Sequence, residues 1–180
     1  MAPKTPDDWL QEFVDDIVDA WGRLTKNAAL MENPDASEIG DEGEAFIEGK
    51  LASQGYFTGR SPRSRSPADV WGAATTRDGV VHLALLQVKT SASGKPADLS
   101  NAETAALAAF LEYAVRRFKK SHAIPASFRG SPVAASCGYA GVRLGKRARV
   151  SSSYYVSGLI DEAINQRAAD RFLRGFHEGL

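Results

Sequence analysis

Apolar positions recur along this chain in two periods. From Leu10 onward they fall at Leu10, Phe13, Val14, Ile17, Trp21 and Leu24, the three-and-four spacing of one helix face. Thr5 is a suitable N-cap, Pro6 fits the first helical position, and Asp7 and Asp8 suit the positive end of the helix dipole. The opposite face is acidic: Asp8, Glu12, Asp15, Asp16 and Asp19. Such a stripe packs into a core or forms a dimer contact. Residues 25–40 read as a linker broken at Asn33-Pro34. A second helix follows over about 42–54, with Ala45, Phe46, Leu51 and Ala52 apolar, and it stops at Gly55.

The period then changes. GRSPRSRSPAD, residues 59–69, reads as loop, DVWGAATT, residues 69–76, as a strand, and VVHLALLQVKT, residues 80–90, as its partner. Arg77-Asp78-Gly79 between them is a hairpin signal. A Ser/Gly/Pro loop leads to a helix over about 100–119, SPVAASCGYAGVRL and RARVSSSYYVSG supply one or two more strands, and a last helix covers about 159–175. The order helix, hairpin, helix, strand, helix predicts an α/β fold: a mixed sheet covered by helices.

Within residues 80–90, Leu83, Leu85, Gln87 and Lys89 share one face, because strand side chains alternate. An apolar row therefore ends in an amide and an ammonium pointing the same way. Hairpin pairing brings Asp69 to that end. The grouping suits phosphodiester hydrolysis. Mg²⁺ takes oxygen ligands, typically one or two carboxylates with water and phosphate. Asp69 would be the main ligand, the Gln87 side-chain oxygen and the Val88 carbonyl would add to it, and Lys89 would serve the water and the phosphate. The plainer alternative stays open: a lysine leaving a strand often lies along the surface toward solvent, and Asp is ordinary turn chemistry.

GDEGEAFIEGKLASQGYF, residues 40–57, changes the picture. It places Gly43-Glu44 at a helix start. The series Glu44, SPAD ending in Asp69 and QVK ending in Lys89 resembles the PD-(D/E)xK nuclease superfamily, most of all the archaeal-type Holliday-junction resolvases. The resemblance covers about residues 40–145. It implies a restriction-endonuclease-like mixed sheet over 40–155, with an amphipathic helix and linker at 1–39 and a C-terminal helix at 156–180. It further implies a metal-facing role for Glu44 and a Mg²⁺-dependent endonuclease in which Mn²⁺ can substitute. The implied substrate is branched or duplex DNA, cut by a homodimer. Two positions depart from the pattern. The usual Glu of the (D/E)xK element is Gln87, and Pro67 is separated from Asp69 by Ala68. QxK occurs in relatives resembling Mrr-type restriction enzymes and one class of group I intron homing endonucleases. A sequence-specific restriction or homing enzyme is therefore one alternative, and a DNA-binding protein with weak or lost catalysis is another.

Composition refines this. Of 180 residues, 43% are hydrophobic and 24% charged, as in an ordinary globular protein. No run of about 18 apolar residues exists to cross a membrane. MAPKTPDDWL lacks the apolar core of a signal peptide, and the lone Cys137 suits packing in a reducing, cytoplasmic compartment. Net charge is zero but segregated: residues 1–58 carry 4 Lys+Arg against 13 Asp+Glu, and residues 59–180 carry 18 against 9. The basic portion fits an anionic polymer. Candidate phosphate contacts are Arg60, Arg63 and Arg65, with Ser61, Ser64 and Ser66 assisting. Arg116 and Arg117 could contact phosphate or merely complement a helix dipole. Arg143, Lys146 and Arg147, with Arg149, Tyr154 and Tyr155 following, could track a backbone or form an exposed hairpin. Glu103 and Glu112 read as solvated helix residues, although Glu103 starts a helix near the proposed site. GYAGVRLGKR lacks the spacing of a phosphate loop, and no zinc pattern or serine-nucleophile elbow occurs. His82 faces away from Lys89 and reads as structural.

Overall fold

The computed structural model describes residues 8–25, 34–62 and 66–180. It is an α/β fold: helix α1 (Asp8–Thr25), helix α2 (Pro34–Ser53), strands β1 (Phe57–Arg60), β2 (Val70–Thr75) and β3 (Val81–Ser91), helix α3 (Asn101–Phe118), a single turn α4 (Ala126–Arg129), strands β4 (Val133–Arg143) and β5 (Arg149–Ile160), and helix α5 (Gln166–Glu178). The strands form one sheet in the order β1-β2-β3-β4-β5. β1, β2 and β3 pair antiparallel in succession, β3 and β4 run parallel, and β5 returns antiparallel. The parallel step needs a crossover, and α3 supplies it.

Each face of the sheet has its own core. On one face Leu10, Phe13, Val14 and Ile17 of α1 and Leu107, Phe110, Leu111 and Ala114 of α3 pack on Trp71, Leu83, Leu85 and Ala135. On the other, Ile47 and Leu51 of α2 pack with Val70, Leu86, Val88, Ala140 and Val142, and Phe176 of α5 joins them. The period-two reading of β3 is thus realised: odd positions meet α1 and α3, even positions meet α2 and α5. Leu10, Phe13, Val14 and Ile17 of the α1 stripe are buried in this core and Trp21 packs against it, whereas Leu24 at the helix end is 66% exposed. Among the described residues no helix is long and apolar enough to cross a membrane.

Several boundaries move. Thr5, Pro6 and Asp7 lie outside the described residues. Pro34 does not break the chain before a helix but begins one, since a first-turn proline loses no helical hydrogen bond. Phe57–Arg60 is an edge strand rather than loop, and four residues are too few to carry a period. Strand β5 runs on to Ile160, because Val156 and Leu159 pack against the first core, and the last helix begins only after Asn165. The Asn165 side chain accepts from the Ala168 N–H at 3.1 Å. Gly79 turns the β2–β3 hairpin at φ 76°.

Beneath α5 a polar chain crosses the second face. Tyr56 Oη meets His82 Nδ1 at 2.7 Å, His82 Nε2 meets Ser136 Oγ at 2.9 Å, and the same oxygen meets His177 Nε2 at 2.7 Å. Burial, together with the charge of His177, pushes His82 down to about 3, and burial pushes His177 down to about 3. Both are therefore neutral in the folded chain, while the unfolded chain protonates them below about pH 6.5. Their stabilisation is complete above that pH and falls as pH drops toward 3. Between pH 7.5 and 5.5 the expected loss is about 2–3 kcal/mol for the pair. Urea midpoints across this range measure it, in an Asp69→Asn background because that buried carboxyl titrates with the opposite sign. A midpoint that stays flat or rises would contradict it.

Candidate active site

Strand β2 is shorter than β3 at the end where Gln87 and Lys89 lie. Asp69 stands just before β2, and its N–H still reaches the Leu86 carbonyl at 2.8 Å. Its side chain then continues the ladder: Oδ2 accepts the Val88 N–H at 2.8 Å. The Val88 carbonyl lies on the same edge of β3 as that N–H. Asp69, Gln87 and Lys89 line one cleft of about 310 Å³ with Ser66, Pro67, Glu103 and Ala106. Glu103, in the first turn of α3, accepts Lys89 Nζ at 2.5 Å.

Glu44 comes from the other face, on α2. Gly43 and Glu44 lie in the middle of α2 rather than at its start, because the helix already begins at Pro34. This part of α2 lies close against the end of β3 because residue 43 is glycine: a Cβ there would run into Thr90 Oγ1. Glu44 is half-buried, and its charge reaches Asp69. Burial raises the Asp69 carboxyl well above the carboxylate range, and Glu44 and Glu103 add to the rise. The Val88 N–H and the Lys89 ammonium oppose it. The buried carboxyl is therefore short of positive charge.

The donors present are all oxygens: two carboxylates, the Gln87 amide and the Val88 carbonyl. That set fits a hard cation such as Mg²⁺ in chemistry. Among the described residues no three His, Cys, Asp or Glu side chains are grouped so as to hold a metal, so the fit depends on Gln87 and Val88.

The expected phosphate contacts divide. Arg63, Ser64 and Arg65 lie outside the described residues. Arg60 points to the α2 face, where its guanidinium pairs with Glu48, and its backbone is clamped by Gln11, so it is not a free clamp beside Asp69. Ser61 is buried: its Oγ accepts the Trp71 indole N–H at 2.9 Å. Ser66 Oγ bonds to Ser61 Oγ at 2.8 Å and donates to the Ala68 carbonyl at 2.7 Å, although Ser66 does line the cleft. Arg116 and Arg117 lie at the far end of α3, about 20 Å along its axis from Glu103. Arg117 there stacks over Tyr113.

Arg143, Lys146, Arg147 and Arg149 are at the cleft end of the sheet, because β3 and β4 run parallel with Ser91 paired to Arg143. They surround the β4–β5 turn about two strand spacings, roughly 10 Å, from β3. None of the four pairs with a described carboxylate. Tyr154 stacks on Tyr139, with ring centroids 4.7 Å apart, and Tyr155 lies under Arg174. Cys137 is buried and its thiol is pushed up to about 12, which suits packing and not nucleophilic attack.

Glu103 is the site residue the sequence undervalued. The signal was the Ser-x-x-Glu spacing of Ser100 and Glu103, which marks a helix start and so fixes where that carboxylate stands. A larger hollow of about 560 Å³ lies at the other end of β3, between the β2–β3 turn and α5. It is mostly apolar, and His82 on its wall already has both ring nitrogens bonded.

No family model, curated protein or solved structure matches the chain.

Asp69→Asn keeps an oxygen for the Val88 N–H and removes the ionisable group. A carboxyl whose folded pKa is raised stabilises fully at low pH and loses that contribution as pH rises through the raised value. In EDTA the variant is expected to melt higher than wild type at pH 8, and the gap should narrow on acidification. Equal melting temperatures at pH 8 would show that the Asp69 charge carries no penalty.

Proposed function

We propose that this chain is a Mg²⁺-dependent DNA endonuclease with a restriction-endonuclease-like core, resembling resolvases that act on branched DNA as homodimers. One observation carries the reading: a buried carboxylate, an amide oxygen and an ammonium converge in one cleft at the ends of paired strands, with a second carboxylate close enough to shift the first. The order helix, three antiparallel strands, crossover helix and parallel strand is consistent with it. So are the cations around the β4–β5 turn, which have no described carboxylate partner and lie on the same end of the sheet.

Asp69, Glu44, the Gln87 amide oxygen and the Val88 carbonyl are the groups that would hold the ion. When bound, Mg²⁺, or Mn²⁺ in its place, supplies Lewis acidity toward a phosphoryl oxygen and toward water. Among the described residues Lys89 is the one cation lining the cleft. It donates to the attacking water and meets negative charge that grows on the phosphate. Water adds to phosphorus and gives up one proton to solvent, the bond to the leaving sugar oxygen breaks, and that oxygen takes up a proton from solvent. Arg143, Lys146, Arg147 and Arg149 hold flanking phosphates without reading sequence.

Gln87 and the absence of a three-acid group among the described residues favour a second reading, a DNA-binding protein whose catalysis is weak or lost. Incubation with four-way junctions, flaps and linear duplexes, with and without Mg²⁺ or Mn²⁺, separates the possibilities. Metal-dependent cutting of junctions supports the resolvase-like enzyme, cutting only at a defined linear site supports a restriction or homing enzyme, and binding without cutting supports the inactive protein. In an active enzyme Asp69→Ala and Lys89→Ala each lower cleavage by about 100-fold or more and leave DNA affinity within about threefold. If both variants cut normally, the site is wrong.

Replacing Arg143, Lys146, Arg147 and Arg149 together by Ala should weaken binding to all DNAs alike. The slope of log affinity against log salt should fall by about 0.9 for each duplex phosphate that the variant no longer neutralises. Titrations at several salt concentrations measure it, and an unchanged slope removes this turn from the interface.

A further inference from the structure

Helix α3 begins at the cleft, and its first turn joins two structures. Ser100 Oγ accepts the Glu103 N–H at 3.1 Å, and Glu103 Oε2 accepts the Ser100 N–H at 2.8 Å. A capping box asks no more than this of its glutamate. Here the second oxygen, Oε1, takes the Lys89 ammonium at 2.5 Å. One carboxylate thus ties the cleft's cation to a helix end. Lys89, and after it the Ser100 N–H, hold the Glu103 carboxyl below the ordinary range, so it remains ionised at neutral pH.

The helix end is itself braced. Tyr139 Oη donates to the Ala97 carbonyl at 2.7 Å, and the Leu99 N–H donates to Tyr154 Oη at 3.2 Å. The two rings stack, and Tyr139 is the β4 partner of Gln87. The segment entering α3 is therefore fastened to the same sheet that carries Gln87 and Lys89. A lysine side chain alone samples many rotamers and has no fixed direction. Asp69, 2.8 Å from the Val88 N–H, needs no such support, since the sheet edge already holds it.

We propose that Glu103 is the positioning residue for Lys89: it holds the ammonium at the wall of the cleft, where the phosphate and the attacking water would meet it. The inference rests on the nuclease reading of this cleft and deepens it. Glu103 need touch neither substrate nor metal. Its effect falls on the turnover step, and DNA affinity is left to the basic turn.

Glu103→Gln separates the two jobs of the carboxylate. The amide keeps an oxygen for the Ser100 N–H, so the helix start is retained and the melting temperature should stay within about 3 °C, a change of about 1 kcal/mol. The charge that holds Lys89 is gone. Two measurements follow. In single-turnover cleavage of a DNA the wild type cuts, with Mg²⁺, the rate should fall about tenfold or more with unchanged affinity for the DNA. In metal-free protein, acetylation of Lys89 by a small amine-directed reagent, read by peptide mass spectrometry, should speed up about threefold or more relative to Lys119 in the same sample, because no carboxylate then holds the amine against the cleft wall. The acetylation result needs no turnover, so it stands whether or not the wild type cuts. Wild-type acetylation of Lys89 in the variant overturns the proposal, and so does faster acetylation with an undiminished cleavage rate. Lys89→Ala tells the two failures apart: if it cuts like wild type, the nuclease reading fails, and if it is inactive while Glu103→Gln behaves as wild type in both measurements, only the positioning role fails.

Discussion

A carboxylate that takes the place of a missing strand carbonyl sets the geometry of this site. Strand β2 ends before β3 does, leaving the Val88 N–H without a backbone partner on that edge. Asp69 Oδ2 supplies the acceptor at 2.8 Å. A buried N–H left unpaired costs about 1–3 kcal/mol, so the sheet itself enforces the position of the carboxylate. The same bond sets the side chain beside Gln87 and Lys89. The arrangement also has a cost, since burial and two neighbouring acids raise the carboxyl far above its ordinary range. Folding thus both fixes this ionisable group and disfavours its charge.

Two independent cores deliver the other groups to this point. The face covered by α1 and α3 brings Glu103, and the face covered by α2 brings Glu44. Neither helix reaches the strand ends by chance. Helix α2 approaches closely because Gly43 has no side chain to strike Thr90, and α3 is started at a set place by Ser100 and Glu103. The polar chain through Tyr56, His82, Ser136 and His177 lies beneath α5 at the other end of β3, some seven residues or about 23 Å from Lys89. It belongs to the packing of α5 and has no part in the cleft.

What the sequence revealed and what it hid follow one rule. Groups fixed by local periodicity were legible. The alternation from Leu83 to Lys89, the hairpin about Gly79 and the helix from Asn101 each need only neighbouring residues, and together they place Asp69, Gln87 and Lys89. Groups whose state depends on a distant partner were not. Arg60 looked like a phosphate clamp until Glu48, on another element, claimed its guanidinium. Ser61 looked like a loop hydroxyl until the Trp71 indole buried it. Glu103 looked solvated until the crossover folded its helix back onto Lys89. The missed edge strand β1 and the late start of α5 have the same cause, since pairing with β2 defines the first and continued packing of β5 delays the second.

The charge imbalance along the sequence becomes a spatial one. Helix α1 lies over β1, at one edge of the sheet, with Leu10 and Val14 against Gly59 and with Glu12, Asp15, Asp16 and Asp19 on its outer side. The cations of the β4–β5 turn lie at the other edge. For a polyanion such a molecule has an acidic side that repels and a basic side that attracts, with the cleft between them at the strand ends. Fields of this kind act mainly on the approach and orientation of a partner rather than on its final affinity.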